Sequence, residues 1–306
     1  MCRIGLIQMN PWRVHLGISM KKTDKLIVTD YQIKGRGQPE LRIALVSDLH
    51  DRPGGEVLDL LYQQKPDLIL VAGDLMERHE PGYVDWTEQE MNDWQGLTLK
   101  NRICSKTVKF FDSILPLGQK KDCDESNGRN FLKKASSIAP IFYGIGNHEW
   151  YFTDEDKKII DDCRVTVLDN EDTAVRLSGG RTIRIGGLST RYDLTWLQEF
   201  AEKPGYKILI CHHPEYYERF ILGELEEKIQ LIVSGHAHGG QWRIAGRGVL
   251  APGQGFFPKY AHGMFDAKLI VSAGLSNTAN IPRFGNPREL VIIHCNPDAL
   301  SFRLDE

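Results

Sequence analysis

Residues 231–242 read LIVSGHAHGGQW, an apolar run that breaks at glycine, shows two histidines one residue apart and then meets two more glycines. Such a pair is ordinary when one ring is buried and the other faces water. Glycines on both sides point instead to a backbone bent so that both rings reach one place. Four other apolar runs end in related chemistry. LRIALVS ends in Asp48-Leu49-His50, DLILVAG in Asp74, PIFYGIG in Asn147-His148-Glu149 and KILIC in His212-His213. Any one of these endings alone is commonplace in a turn. The ordered set of five is far more specific, because ligands of open α/β sheets gather at the carboxyl ends of strands.

Oxygen and imidazole donors without cysteine suit manganese, iron or zinc in an open, catalytic coordination. Six or seven donors are too many for one ion that leaves room for substrate, but they suffice for two. A carboxylate such as Asp74 could bridge both. Paired ions roughly 3.5–4 Å apart activate water and clamp an in-line displacement at phosphorus.

Several elements must position these groups. LRIALVS (41–47) and DLILVAGD (67–74) have the length and branching of buried strands, and EVLDLLYQQ (56–64) between them has helical spacing. Strand, helix and strand in about 30 residues make a βαβ unit with parallel neighbours. Residues 106–115 read as a helix, 118–130 as a loop, and Phe131–Ile138 as a helix leading into PIFYGIG. The span 77–138 is too long for a simple connection and is expected to be a partly helical insertion over one end of the sheet. The second half is richer in strands: TAVRLS, RTIRIGGLS, YKILICHH, QLIVSGHAH, KLIVSAGL and ELVIIHC. The expected organisation is an N-terminal extension and lead-in strand over 1–40, one α/β domain over 41–295 and a tail over 296–306.

Bulk properties limit the alternatives. Across 306 residues, 41% hydrophobic and 26% charged side chains give the profile of an ordinary globular protein with an ample core. A formal charge of -3 gives no support to a nucleic-acid partner, and the lysines of the insertion are interspersed with acids. No apolar stretch approaches the roughly 18–20 residues that cross a bilayer, and the N-terminus does not read as a signal peptide. Six scattered cysteines without a CxxC pair suit free thiols, and with them a cytoplasmic location, with peripheral membrane association as the variant.

The ordered pattern resembles the calcineurin-like metallophosphoesterase family. The matching residues are Asp48 and His50 in SDLH, Asp74 in GDL, Asn147 and His148 in GNHE, His212 in ICHHP, and His236 and His238 in GHAHGGQ. The later stretches AHGMF and GLSNTANIPRFGNPREL further resemble a bacterial phosphodiesterase branch whose members often carry an N-terminal membrane anchor. The resemblance implies an α/β fold, a two-sheet β-sandwich flanked by helices with the metals at one end. It implies that Asp48, His50, Asp74 and His238 hold one ion, and that Asp74, Asn147, His212 and His236 hold the other. His148 would contact phosphate and protonate the leaving group.

Some positions depart from the family pattern. GDLMER puts Glu77 where phosphatase members have the aspartate that orients the catalytic histidine, and Glu is longer. Asp51 adds a charge expected near the mouth. The insertion and the missing anchor weaken any transfer of a lipid substrate. His213 and Arg283 are the candidates for contacting substrate: His213 would face it, stand behind the ligands or be exposed, and Arg283 would bind an additional phosphate or be a surface arginine without a ligand contact. Trp86, Trp94, Phe256 and Phe257 could stack on a base or cover a lipid chain, and His262 could line the approach. The expected activity is hydrolysis of a phosphodiester or pyrophosphate, as a small molecule or lipid headgroup, by hydroxide held between two divalent ions. Manganese is the first expectation for those ions, with iron or zinc as variants. The competing readings are a phosphomonoesterase, and a non-catalytic metal-binding scaffold that recruits a partner.

Overall fold

A computed structural model describes residues 25–35, 39–79, 123–177, 180–251, 254–276 and 282–297. Its strands follow the apolar runs of the sequence. In chain order they begin with β1 (Leu26–Gly35), β2 (Leu41–Val46), β3 (Leu68–Ala72), β4 (Ile141–Gly144), β5 (Thr166–Leu168), β6 (Glu171–Arg176), β7 (Thr182–Leu188), β8 (Tyr206–Cys211) and β9 (Leu231–Ser234). Two short hairpins come next, β10 (Arg243–Ile244) with β11 (Arg247–Gly248) and β12 (Leu250–Ala251) with β13 (Gly255–Phe256). The last three strands are β14 (Gly263–Phe265), β15 (Leu269–Val271) and β16 (Arg288–Pro297).

Two six-stranded sheets result, one ordered β1-β16-β2-β3-β4-β5 and the other β14-β15-β9-β8-β7-β6. Strands β2 to β5 run parallel in the first, and β7, β8, β9 and β15 run parallel in the second. Alternation along each strand then builds three cores. Leu41, Ile43 and Leu45 of β2 and Leu68 and Leu70 of β3 meet Ile208, Ile210, Leu231 and Val233 of the other sheet. The alternate residues Ala44, Val46, Ile69 and Val71 face outward under the helices. On the far side Leu209, Cys211 and Ile232 pack beneath their own outer layer. This sandwich with helices outside is the architecture that the resemblance implied.

The outer helices are α1 (Gly55–Gln64), α2 (Glu125–Ala135), α3 (Asp154–Asp162) and α4 (Leu194–Glu202). Helix α1 buries Val57 and Leu61 and stops where Lys65, at φ 48°, turns left-handed ahead of Pro66. Helix α2 differs from the expectation that 118–130 is loop and that the helix starts at Phe131. Asp124 caps its start by accepting from the Ser126 N–H at 2.8 Å, so helix already covers 125–130. The expected helix over 106–115 and both Trp86 and Trp94 lie outside the described residues. Among the described residues no helix is long and apolar enough to cross a membrane.

Beneath the end of β3 sits a buried charge network. Arg78, 1% exposed, grips Asp156 with Nε and Nη2 at 2.7 and 2.9 Å and Asp51 with Nη1 at 2.6 Å. Asp156 also closes the capping box of α3 with Thr153 and takes a bond from Arg129 Nε at 2.8 Å. Desolvation opposes the ionised form of Asp156, but Arg78 and Arg129 outweigh it and hold the carboxyl low. Removing one partner strands the other charges away from water. Arg78→Ala is therefore expected to cost about 3–5 kcal/mol, read from the urea midpoint. Arg78→Lys should rescue little, because an ammonium cannot make the two-pronged contact. A midpoint unchanged in Arg78→Ala would refute the network's role.

Candidate metal centre

The parallel strands of both sheets deliver their carboxyl ends to one place. Asp48 follows β2, Asp74 follows β3 and Asn147 follows β4; His212 follows β8, and His236 and His238 follow β9. The chain must leave each strand sharply, and the backbone records it. Asp48, His50, Asp74, His236 and His238 have φ of 55°, 52°, 55°, 64° and 44°. That region costs L-residues about 1–2 kcal/mol each, and Asp, Asn and His enter it more readily than most. Gly146 admits the Asp74 carboxylate, since a Cβ there would lie 2.2 Å from Asp74 Oδ1.

Among the described residues four groups of candidate donors form, and two of them consist wholly of the expected ligands. Asp48, His50 and His238 bring ligand atoms within 4.8 Å of one another, and so do Asp74, His212 and His236. The Asp74 carboxylate lies between them, with Oδ2 3.2 Å from His212 Nε2 and 3.8 Å from His50 Nε2. Asp48 Oδ1 accepts from the His236 N–H at 3.0 Å, so the first sheet reaches the glycine-rich loop of the second. His236 and His238 thus fall into different groups.

These residues fit divalent ions. Asp48 Oδ2, His50 Nε2 and His236 Nε2 are buried without a hydrogen-bond partner. Unpaired buried polar atoms are costly, so several together mark a place for something that binds them. The tautomer of His212 points the same way. Its Nδ1–H donates to Ala72 O at 2.6 Å, which turns Nε2 toward Asp74 and Asn147 Oδ1, where it becomes a donor to an ion once its proton is lost.

The charges of the metal-free site follow from burial and neighbours. Burial opposes ionisation of Asp74, but the histidines around it, His212 first, hold its carboxyl well below the usual range. Burial likewise disfavours a charged His212, yet Asp74 prevails and lifts it to about 9. Burial pushes His236 well down and His238 to about 4, so both rings are uncharged at neutral pH. To coordinate, His212 must give up its proton. Ion uptake between neutrality and about pH 9 is therefore expected to release about one proton per chain, and none well above that window. Titration calorimetry in buffers of different ionisation enthalpy reads this number; a buffer-independent heat at pH 7.5 would contradict it.

Glu77, despite its length, reaches three imidazoles. Its Oε2 lies 3.1 Å from His148 Nδ1 and 2.8 Å from His79 Nε2, and its Oε1 is 2.8 Å from His50 Nδ1 without hydrogen-bond alignment. His148 stands at the opening, 22% exposed, with Nε2 3.9 Å from Asp74 Oδ2. Its backbone N–H donates to Asp74 Oδ1 at 2.9 Å.

The structure also places three further residues that the sequence singled out. Asp51 is not near the mouth: it is 0% exposed, takes the Arg78 guanidinium and accepts N–H bonds from Glu77 and Gly128. Arg283 is buried in the wall of the site. Its Nη1 donates to Ala273 O at 2.7 Å and its Nη2 to Ser276 O, with His238 Nδ1 3.4 Å away. His213 is also fully buried, with Nε2 3.0 Å from Thr190 Oγ1 and its ring stacked on Tyr216. Both residues brace ligand candidates, Arg283 behind His238 and His213 against His236 at a ring separation of 4.2 Å.

Two positioning residues escaped the sequence reading. Glu149 accepts from the N–H groups of Asp74, Leu75, Met76 and Gly146 at 2.7–3.1 Å and from Tyr143 OH, tying the β3 and β4 loops together. Its signal was present, as the last letter of GNHE. Asn286 donates to His238 O at 2.7 Å and Gln241 O at 3.2 Å, and nothing local distinguishes it from a turn asparagine.

Comparison with known proteins supplies a context for this geometry. Residues 41–240 match the family described as calcineurin-like phosphoesterase. The chain is 25% identical over 271 residues to the uncharacterised protein YpbG of Bacillus subtilis (strain 168), covering 87% of this chain and 85% of that one. It is also 25% identical over 220 residues to F40B5.2 of Caenorhabditis elegans, named as a candidate metallophosphoesterase. That match covers 65% of this chain and 36% of the relative, so the chain spans about a third of its length. Among solved structures, the sulfate thiohydrolase SoxB of Thermus thermophilus in complex with glycerol is 13% identical. It covers 86% of this chain and 57% of that chain at a TM-score of 0.35.

Proposed function

The chain belongs to the calcineurin-like phosphoesterase family, and on that premise we propose that its centre is binuclear and hydrolyses a phosphodiester or pyrophosphate. It is a metal-dependent hydrolase of phosphoric esters; the number of ions, their identity and the ester type are the proposal. Residues 41–295 would form the catalytic unit. The observation that carries the reading is Asp74, one carboxylate set between two groups of donors.

Asp48, His50, Asp74 and His238 would hold one ion, and Asp74, Asn147, His212 and His236 the other, with manganese as the proposed metal. Two divalent ions bound there supply Lewis acidity for phosphoryl oxygens and bring the pKa of a water toward neutrality. The protein's own part begins with Glu77, which holds His148 through Nδ1 and leaves Nε2 turned toward Asp74 and the opening. From there a protonated His148 would share charge with the phosphoryl oxygens and pass its Nε2 proton to the leaving oxygen. Arg283, Asn286 and Glu149 would keep the loops in register through the backbone groups they bond.

The deciding experiment uses two chromogenic esters, a phosphate diester and a phosphate monoester, with metal-stripped protein resupplied with manganese. Manganese-dependent cleavage favouring the diester is expected. A preference for the monoester would replace the substrate assignment with a phosphatase. Cleavage of neither ester, together with no retained divalent ion, would overturn the reading in favour of a binding scaffold.

A further inference from the structure

A cavity of 430 Å³ lies behind the loop that carries His238, lined by Arg243, Arg247, Lys259, His262, Phe257 and Phe265 among others. None of these residues is a ligand candidate of the metal centre. Its polar groups are held in place from outside. Arg243 Nε donates to Gly239 O at 3.1 Å, Lys259 Nζ lies 3.1 Å from Glu218 Oε1, and His262 Nε2 lies 3.3 Å from Glu289 Oε1. Glu289, 1% exposed, is itself fixed by the Ala273 N–H at 2.8 Å and by Thr29 Oγ1. Three permanent cations against two carboxylates leave an excess of positive charge before His262 is counted.

The opposite character comes from Phe257. It stands 69% exposed at the cavity with φ 54°, its N–H bonded to Val249 O at 2.8 Å. A bulky side chain in that backbone region is an outlier, and such strain concentrates at places with a use. Aromatic surface beside fixed cations suits a ligand with a flat apolar body and a charged head.

We propose that this cavity is a second ligand site, distinct from the metal centre, for a small organic phosphate with a flat apolar body. Its wall touches the loop of the metal centre, because a Cβ on Gly240 would lie 2.4 Å from Gly248 Cα, and Gly240 is two residues from His238. An occupant therefore presses on the segment that carries a proposed ligand.

Phenylphosphonate tests this, since it has the flat body and the dianion but no ester to cleave. Calorimetric titration into manganese-loaded protein is expected to give two molecules per chain, and metal-stripped protein should keep one. Arg247→Glu combined with Lys259→Glu should weaken the cavity molecule at least tenfold. The molecule at the metal centre should stay, which also shows that the variant has folded. One molecule per chain when loaded and none after stripping would overturn the proposal. So would a second molecule indifferent to the charge reversal. If the phosphoesterase reading itself failed, loaded and stripped protein would each bind one molecule, and the charge reversal would still remove it.

Discussion

Asp74→Asn is expected to lose both halves of the centre together, with metal content falling and diester hydrolysis dropping roughly 10³-fold or more. The size follows from charge. The carboxylate faces His212 Nε2 and His50 Nε2 at 3.2 and 3.8 Å, one in each group of donors. If Asp74 is shared by two cations as proposed, removing its charge forfeits about 4 kcal/mol or more of charge stabilisation, and each 1.36 kcal/mol is tenfold in rate. Asparagine keeps the shape, and its amide oxygen can still accept the His148 N–H that now reaches Oδ1 at 2.9 Å. The variant should therefore fold while its metal content collapses, as measured by elemental analysis. His212 should also fall from about 9, because Asp74 is what lifts it against burial, and the proton released on metal uptake should shrink accordingly. Full metal content with more than a tenth of wild-type activity would defeat the bridging assignment.

The second large effect falls on His148, and it should leave the metals alone. His148→Ala is expected to lower turnover about 10²–10⁴-fold, with metal content unchanged, because the proposed ions are held by the donors around Asp48 and Asp74, and His148, grouped only with His50 and Glu77, is not among them. The loss should depend on the leaving group: largest for an alkoxide, which needs the proton, and smallest for nitrophenolate, which does not. Glu77→Gln should cost about 10–100-fold by loosening the Nδ1 contact at 3.1 Å, and some of that cost will appear as weaker metal binding through His50. Equal losses for both leaving groups in His148→Ala would exclude a proton-donating role and leave only phosphate binding.

Much of this architecture was legible from local pattern. Buried parallel strands announce themselves as continuous apolar runs, and each of β2, β3, β4, β8 and β9 was readable because a polar ending followed it. The start of α2 was misread for the converse reason: DCDESNGRN is polar throughout, and only the Asp124 cap distinguishes helix from loop there. The surroundings of the donors were harder to see. Whether Asp51 points outward or into Arg78 depends on Gly128, 77 residues away, whose N–H meets Asp51 Oδ1 at 3.1 Å. Arg283 looked like an anion hook, but three-dimensional closure gave it backbone carbonyls instead. Contacts between distant segments decided these cases, and spacing along the chain carries no information about them.

The left-handed backbone at Asp48, His50, Asp74, His236 and His238 narrows what these positions can become. Aspartate and histidine are among the few residues that tolerate such turns, and they are also the ones that bind divalent ions. Two unrelated demands thus select the same letters, and a turn could have recruited them before any ion arrived. For mutagenesis this means that alanine or valine at these sites removes a donor and unsettles the backbone at once, confounding two losses. Asparagine accepts the turn, dropping only the charge at Asp48 and Asp74 and only the imidazole at the histidines, so it is the substitution that separates architecture from chemistry.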